Sequence, residues 1–313
     1  MKFIKAFVRL VRWPNLVFIG ITQALFVYSI VHPIIYQAGA VPNVRGKYFV
    51  WIVISSILIA AAGYIINDYF DLNIDLVNKP DKLVVAKIIS RRWVIFWHLL
   101  FSTAGVVIGF YIDWYTRIRF LGLANMGCVA LLFIYSISLK KKMLVGNVVI
   151  SAMTAWVILV ITWCETSNLL QPALLRHFTQ KITRISFLYA GFAFVISLIR
   201  EVVKDMEDIE GDRRYGGRTL PIVLGINATK VFVAVWLTVL ACALSAVQFY
   251  ALILQWWWSA TYSVLFIIVP FIFAFRWLVK AATPTDYHRL STLVKVIMFT
   301  GILSMIFFRL YAG

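Results

Sequence analysis

Nine stretches of this chain are apolar and about as long as a membrane is thick. They lie near residues 15–35, 48–66, 93–114, 118–139, 144–163, 185–203, 229–250, 258–279 and 290–311. About 20 apolar residues in a helix cross the hydrocarbon layer, and inside it every backbone N–H and C=O needs an internal partner. Of the 313 residues, 62% are hydrophobic and 14% charged, and the mean hydropathy is +0.89. Soluble domains run at about 45–50% and about 25%. A soluble enzyme, a disordered chain and a disulfide scaffold are thereby excluded. No stretch alternates as a strand would, and no Ser/Gly/Pro-rich linker divides the chain. The expectation is an all-α membrane protein, one polytopic domain over 1–313, with nine transmembrane helices around a central cavity.

The formal net charge is +17, from 30 Lys and Arg against 13 Asp and Glu. In a soluble protein such a surplus would point to nucleic acid; in a polytopic one it marks cytoplasmic loops, so no nucleic-acid partner is expected. With the N-terminus in the cytoplasm, 22 of the 30 basic residues fall on the cytoplasmic side. Nine spans then leave the C-terminus on the opposite side. The basic start Met1–Lys5 precedes an apolar run without a clear small-residue cleavage site, so the first helix is expected to stay in the chain. Cys128, Cys164 and Cys242 are far apart in apolar segments and predict neither a disulfide nor a metal site.

The scarce acids carry more information. Ten of the 13 sit in two places: Asp68, Asp71, Asp75 and Asp81 in the first, and Glu201, Asp205, Glu207, Asp208, Glu210 and Asp212 in the second. Both contain Asp-x-x-Asp-x-x-x-Asp, and corresponding aspartates are 137 positions apart throughout. Four spans separate the two copies, an even number, so both face the cytoplasm. The pattern predicts a parallel internal duplication with acid motifs at 67–75 and 205–212. Positions i, i+3 and i+7 share a helical face, where three carboxylates repel one another. Acids at membrane depth are functional candidates by default. A divalent cation relieves the repulsion, and oxygen-only ligands suit Mg²⁺, with Mn²⁺ as the alternative, rather than Zn²⁺. Mg²⁺ typically completes its shell with water and substrate phosphates, so two such faces would hold ions around a diphosphate. A plainer reading pairs the acids with neighbouring cations. Arg200, Lys204, Arg213 and Arg214 would serve the second copy, whereas the first has no nearby basic residue before Lys79.

Arg91-Arg92, Lys140-Lys141-Lys142, Arg213, Arg214 and Arg218 lie on the same side as the acids. They are either topology anchors or phosphate ligands. A diphosphate at the mouth of a helical bundle in lipid suggests an isoprenoid chain held between the helices. Mg²⁺ would promote diphosphate departure, and aromatic faces would shelter the allylic cation. Tyr64, Tyr69, Phe70 and Tyr135 are placed for that role, although aromatic belts at the membrane interface account for most such residues.

At these residues the chain resembles the UbiA superfamily of intramembrane prenyltransferases. Asn67-Asp68-x-x-Asp71-x-x-x-Asp75 resembles its first signature and Asp205/Asp208/Asp212 its second. Arg12-Trp13-Pro14-Asn15, Tyr135-Ser136-x-x-Leu139-Lys140 with Gly146-Asn147, and Gly217-Arg218-Thr219-Leu220-Pro221 are similar to its flanking segments, in order along nearly the whole chain. The resemblance implies nine helices around a cavity and Mg²⁺-dependent transfer of a prenyl group from a prenyl diphosphate to a lipophilic acceptor. It places Asn67, Asp71, Asp75, Asp208 and Asp212 on the metals, with Asp71 and Asp208 as the catalytic pair. Asp68 and Asp205 become supports or ligands, and Lys140, Arg213 and Arg218 diphosphate contacts. Arg12 and Asn15 become acceptor or diphosphate contacts, and Tyr135 a further substrate contact. Asn78-Lys79-Pro80-Asp81-Lys82-Leu83-Val84 departs from the family pattern by lacking its Arg-Pro. The stretch Arg200–Asp212 is most similar to the branch that prenylates a glycerol-phosphate ether lipid, so a prenylglyceryl phosphate is the first choice of acceptor. The alternatives are an aromatic acceptor, such as 4-hydroxybenzoate or a naphthoate, and outside this family a cation-coupled transporter.

Overall fold

The computed structural model describes residues 2–78, 84–116, 118–167 and 176–312. Lys79, Pro80, Asp81, Lys82 and Leu83, where the sequence departs from the family pattern, lie outside the described residues, as does Arg117. A short amphipathic helix α1 (Lys2–Leu10) buries Ala6 and Leu10 and leaves Phe3 and Ile4 exposed. The spans follow as α2 (Trp13–Gln37), α3 (Gly46–Phe70), a short α4 (Leu72–Asn78), α5 (Arg91–Tyr115), α6 (Leu121–Ile137) and α7 (Val145–Thr166). Then come α8 (Arg176–Glu207), the short α9 (Ile209–Arg214) and α10 (Leu220–Val223), α11 (Ile226–Ile253), α12 (Trp257–Lys280) and α13 (Pro284–Tyr311). Among the described residues eight helices are long and apolar enough to cross a membrane; α6 is an apolar helix of 17 residues. At 1.5 Å per residue, α6 reaches about 25 Å, just short of the hydrocarbon thickness. The chain is a multi-pass integral membrane protein, and its outer faces carry exposed Leu, Val and Phe side chains.

Two spans widen locally into π-helical turns, Val27–Val31 in α2 and Val264–Ile268 in α12. Each lies one turn before a proline, Pro33 or Pro270. A proline ring clashes with the carbonyl four residues earlier, here that of Ser29 or Phe266, and the widened turn relieves the clash.

α3 packs on α5, α7 on α8, and α8 on α13 and α11. One apolar cluster joins α8, α11, α12 and α13 through Val202, Val233, Ala274 and Leu290. A second joins α2, α3 and α7 through Phe26, Ile52 and Ile161.

Asp113, Glu165 and Asp286, the three acids far from both clusters in sequence, all serve backbone N–H groups. Asp113 accepts from Leu121 N and Gly122 N at 2.9 and 2.8 Å, starting α6. Glu165 accepts from Asn43 N and Val44 N at 3.0 Å each. Asp286 accepts from Thr283 N at 3.0 Å and completes a capping box at the start of α13. In lipid-facing helices these ends would otherwise leave donors unpaired.

Candidate active site

Both acid motifs turn at their middle aspartate. α3 ends at Phe70, and Asp71 (φ −86°, ψ −1°) leads into α4; α8 ends at Glu207, and Asp208 (φ −99°, ψ 12°) leads into α9. The expectation of three aspartates on one continuous helical face is therefore corrected, since each motif straddles a break. Aspartate competes locally with helical backbone bonding, and the C-terminal end of a helix repels a carboxylate. Asp75 and Asp212 then sit in the first turns of α4 and α9, where the helix dipole favours them.

Around the first motif, Asn67 Nδ2 donates to Asp71 Oδ2 at 2.7 Å, and Lys140 Nζ donates to Asp71 Oδ1 at 2.5 Å and to Asn67 Oδ1 at 3.5 Å. Lys140 stands on the tight turn Leu139–Lys141 between α6 and α7. Gly146 makes that turn fit, because a Cβ there would lie 2.7 Å from the Lys140 Cα. Arg12 Nη2 donates to Asp68 Oδ1 at 2.7 Å, and its guanidinium lies 5.1 Å from the centre of the Tyr64 ring. Arg12 itself has φ 51°, ψ 53°, a left-handed conformation that costs about 1–2 kcal/mol in a non-glycine residue. The ion pair and the ring contact hold it there, at the entrance to α2. So the first motif does have cations, although sequence proximity pointed to none: they arrive from 56 and 69 positions away.

The second motif is held differently. Asp205 Oδ2 accepts from Asn147 Nδ2 at 2.8 Å. Its sequence neighbours Arg200 and Lys204 approach Glu201 Oε1, at 2.8 and 3.5 Å. Glu207 accepts from His288 Nδ1 at 2.9 Å.

The two motifs meet through Asn78, a residue that sequence reasoning noted only as part of the departing segment. Its Nδ2 donates to the Asp208 carbonyl at 3.0 Å, and its Oδ1 accepts from Gly211 N at 2.9 Å. Gly211 admits this contact, since a Cβ there would lie 2.5 Å from Asn78 Nδ2. The Lys140 turn is joined to the loop after the second motif by Arg218 N donating to Lys141 O at 2.8 Å. That bond uses the Arg218 backbone; the Arg213 and Arg218 side chains are exposed and do not line the central cavity. Arg213 instead borders a shallow depression with Ile209, Glu210 and Ile226.

The cavity has a volume of about 1040 Å³ and runs between α2, α3, α6, α7, α8, α11, α12 and α13. Arg12, Asn15, Tyr64, Asn67 and Tyr135 line the end beside the acid motifs, while Phe192, Ile267, Phe271 and Met298 line its apolar body. Of the four aromatic candidates, Tyr64 and Tyr135 reach the cavity; Tyr69 packs beneath Arg91 at 5.9 Å and Phe70 is exposed. Sequence reasoning missed Lys295, which also lines this end and donates to Asn15 Oδ1 at 2.7 Å from 280 positions away. A lone lysine within an apolar span was the available signal.

The donors offered by the acid motifs are carboxylate and amide oxygens, the set that hard divalent cations take. Among the described residues no three His, Cys, Asp or Glu side chains already converge as a metal-binding group. The Lys140 ammonium rests on Asp71 and the Arg12 guanidinium on Asp68. These residues fit an ion whose shell is completed by phosphate and water oxygens rather than an all-protein cage.

Comparison with known proteins agrees with this architecture. A digeranylgeranylglyceryl phosphate synthase of Methanospirillum hungatei JF-1 is 31% identical over 272 residues, 86% of this chain and 84% of that one. A solved structure from work on digeranylgeranylglyceryl phosphate synthase in membranes superposes with a TM-score of 0.63 at 22% identity, covering 100% of this chain and 99% of that one. A UbiA homologue of Archaeoglobus fulgidus, solved with DMAPP and Mg²⁺ bound, superposes with a TM-score of 0.57 at 15% identity, covering 96% and 98%. The model of the UbiA prenyltransferase family matches residues 24–302, and the chain belongs to that family.

Proposed function

We propose that this prenyltransferase moves a prenyl group from a prenyl diphosphate to the hydroxyl of a prenylglyceryl phosphate, with Mg²⁺ (or Mn²⁺ in its place) at the acid motifs. The observation that carries the reading is an apolar cavity of about 1040 Å³ lined at one end by Arg12 and Asn67, which bond Asp68 and Asp71 of the first acid motif. The polar end takes the diphosphate and the apolar body takes the chain. The name of the Methanospirillum relative supports the glycerol-phosphate acceptor, and the Archaeoglobus structure supports Mg²⁺.

Each residue has a part in that reaction. Asn67, Asp71 and Asp75, joined to the second motif's backbone through Asn78, would hold the metal side of the diphosphate together with Asp208 and Asp212, with Asp68 and Asp205 as supports. Lys140 offers its ammonium to a phosphate oxygen beside Asp71. Bound Mg²⁺ supplies Lewis-acid stabilisation of the departing diphosphate. The prenyl C1–O bond breaks, a C1–O bond to the acceptor forms, and diphosphate and the hydroxyl proton leave at the polar end. Tyr64 and Tyr135 present ring faces to the allylic carbons. The basic loop asymmetry supports a cytoplasmic N-terminus, a C-terminus on the other side and a cytoplasmic active site.

The test offers geranylgeranylglyceryl phosphate, 4-hydroxybenzoate and a naphthoate together to the purified protein in lipid nanodiscs, with geranylgeranyl diphosphate and Mg²⁺. Mass spectrometry is expected to find the diether phosphate as the dominant product. A prenylated aromatic product in its place would reassign the acceptor, and no transfer to any of the three would overturn the reading.

A further inference from the structure

The polar end of the cavity has more positive charge than the first motif uses. Lys140 serves Asp71, and Arg12 serves Asp68. Across the cavity, α8 brings Arg200 and Lys204, and α13 brings Lys295. Glu201 is the carboxylate that meets Arg200 and Lys204. Lys295 meets a neutral partner, Asn15, at 2.7 Å, and lies within electrostatic reach of both Arg200 and Arg12. Arg200 uses Nη1 on Glu201, while its buried Nε has no hydrogen-bond partner among the described residues. A buried guanidinium N–H left unmatched, beside a lysine that spends one of its three protons on an amide, is an incomplete anion site. Like charges gathered at the edge of a low-dielectric cavity repel strongly unless a counter-charge arrives.

We propose that Lys295 and Arg200, positioned by Asn15 and Glu201, hold the phosphate of the lipid acceptor, opposite the Lys140 and aspartate side that serves the diphosphate. This rests on the prenyl-transfer reading above and assigns residues that the acid motifs do not include. A phosphate monoester carries nearly two negative charges and three acceptor oxygens, which matches donors arriving from two helices. An aromatic carboxylate has two oxygens in one plane and matches one fork. Anchored at Lys295 and Arg200, the acceptor would lie with its hydroxyl toward Asn67 and its own chain in the apolar body beside Met298 and Phe271.

The test measures KM for acceptor and donor separately in wild type, Lys295→Met, Lys295→Arg and Arg200→Gln. It repeats the assay with the dephosphorylated acceptor, a prenylglycerol. Lys295→Met is expected to raise KM for the phosphate acceptor about 30-fold while donor KM stays within about threefold, and Lys295→Arg to recover most of the loss. With the neutral acceptor, wild type and Lys295→Met should perform alike, which a merely structural lysine would not produce. Acceptor KM within about threefold of wild type in both Lys295→Met and Arg200→Gln, or equal losses with the neutral acceptor, would overturn the anchor alone. If Lys295→Met does not fold, Arg200→Gln decides on the same readouts. A wild-type protein that ignores the phosphate acceptor overturns the functional reading, and with it the anchor, before any variant is made.

Discussion

The segments 67–75 and 205–212 share a motif and a backbone path, yet their charges are balanced in different ways. In the first, lone cations from distant helices sit directly on the aspartates, Arg12 on Asp68 and Lys140 on Asp71. In the second, Asp205 receives an amide proton from Asn147, and the nearby Arg200 and Lys204 turn to Glu201. The contrast divides the work. The first segment holds protein cations directly on Asp68 and Asp71; the second holds Asp205 on the neutral amide of Asn147. A duplicated motif need not do the same task twice, because each copy meets different neighbours.

The largest effect tests where the two segments are alike. Asp71→Ala and Asp208→Ala each remove the carboxylate at the helix break, and each is expected to lower kcat by about 10³-fold, the scale for losing one group that stabilises transition-state charge. Steady-state transfer assays at saturating donor and acceptor measure it. A loss confined to Asp71→Ala would show that the second segment is structural and that the symmetry stops at the backbone.

Lys140 tests where they differ. Lys140→Met leaves Asp71 without its cation and removes the phosphate contact proposed above. Removing one member of a buried charge pair costs about 2–5 kcal/mol, so kcat/KM is expected to fall about 10²-fold. The half-saturating Mg²⁺ concentration should fall as well, since Lys140 no longer competes for Asp71. A Mg²⁺ titration of activity reads both effects. An unchanged Mg²⁺ requirement would remove Lys140 from the metal side of the site.

How much of this was visible in the sequence depends on the range over which each feature is determined. The apolar stretches are local, and so their helices follow to within a few residues; α8 and α13 are the exceptions, running from Arg176 and Pro284 rather than from about 185 and 290 because their first turns are polar. The acid motifs are also local. The pairing of Asp71 with Lys140, of Asp68 with Arg12 and of Asn15 with Lys295 is tertiary, spanning 69, 56 and 280 positions, and no periodicity encodes it. The break at Asp71 and Asp208 lay between the two scales. Spacing i, i+3, i+7 describes a helix well, but a carboxylate at a helix C-terminus works against continuing it. Lys295 was counted as one more basic residue, although a lysine in the middle of an apolar span is expensive and is seldom kept without a partner.

The smallest effect separates support from ligation at the first aspartate of each motif. Asp205→Asn keeps an oxygen that can accept from Asn147 Nδ2, so the hydrogen bond at 2.8 Å survives. Asp68→Asn also keeps an acceptor, but exchanges an ion pair with Arg12 for a neutral contact. The Arg12 and Asp68 side chains are 37% and 19% exposed, so that pair is screened and contributes at most about 1 kcal/mol. As supports, Asp205→Asn should retain activity within about threefold and Asp68→Asn within about tenfold, both with unchanged Mg²⁺ dependence. As metal ligands, both would lose activity on the scale of Asp71→Ala and need more Mg²⁺. Measuring kcat against Mg²⁺ for the two variants side by side decides between these outcomes. A split result, with one variant tolerant and the other not, would carry the difference between the two segments into the metal site itself.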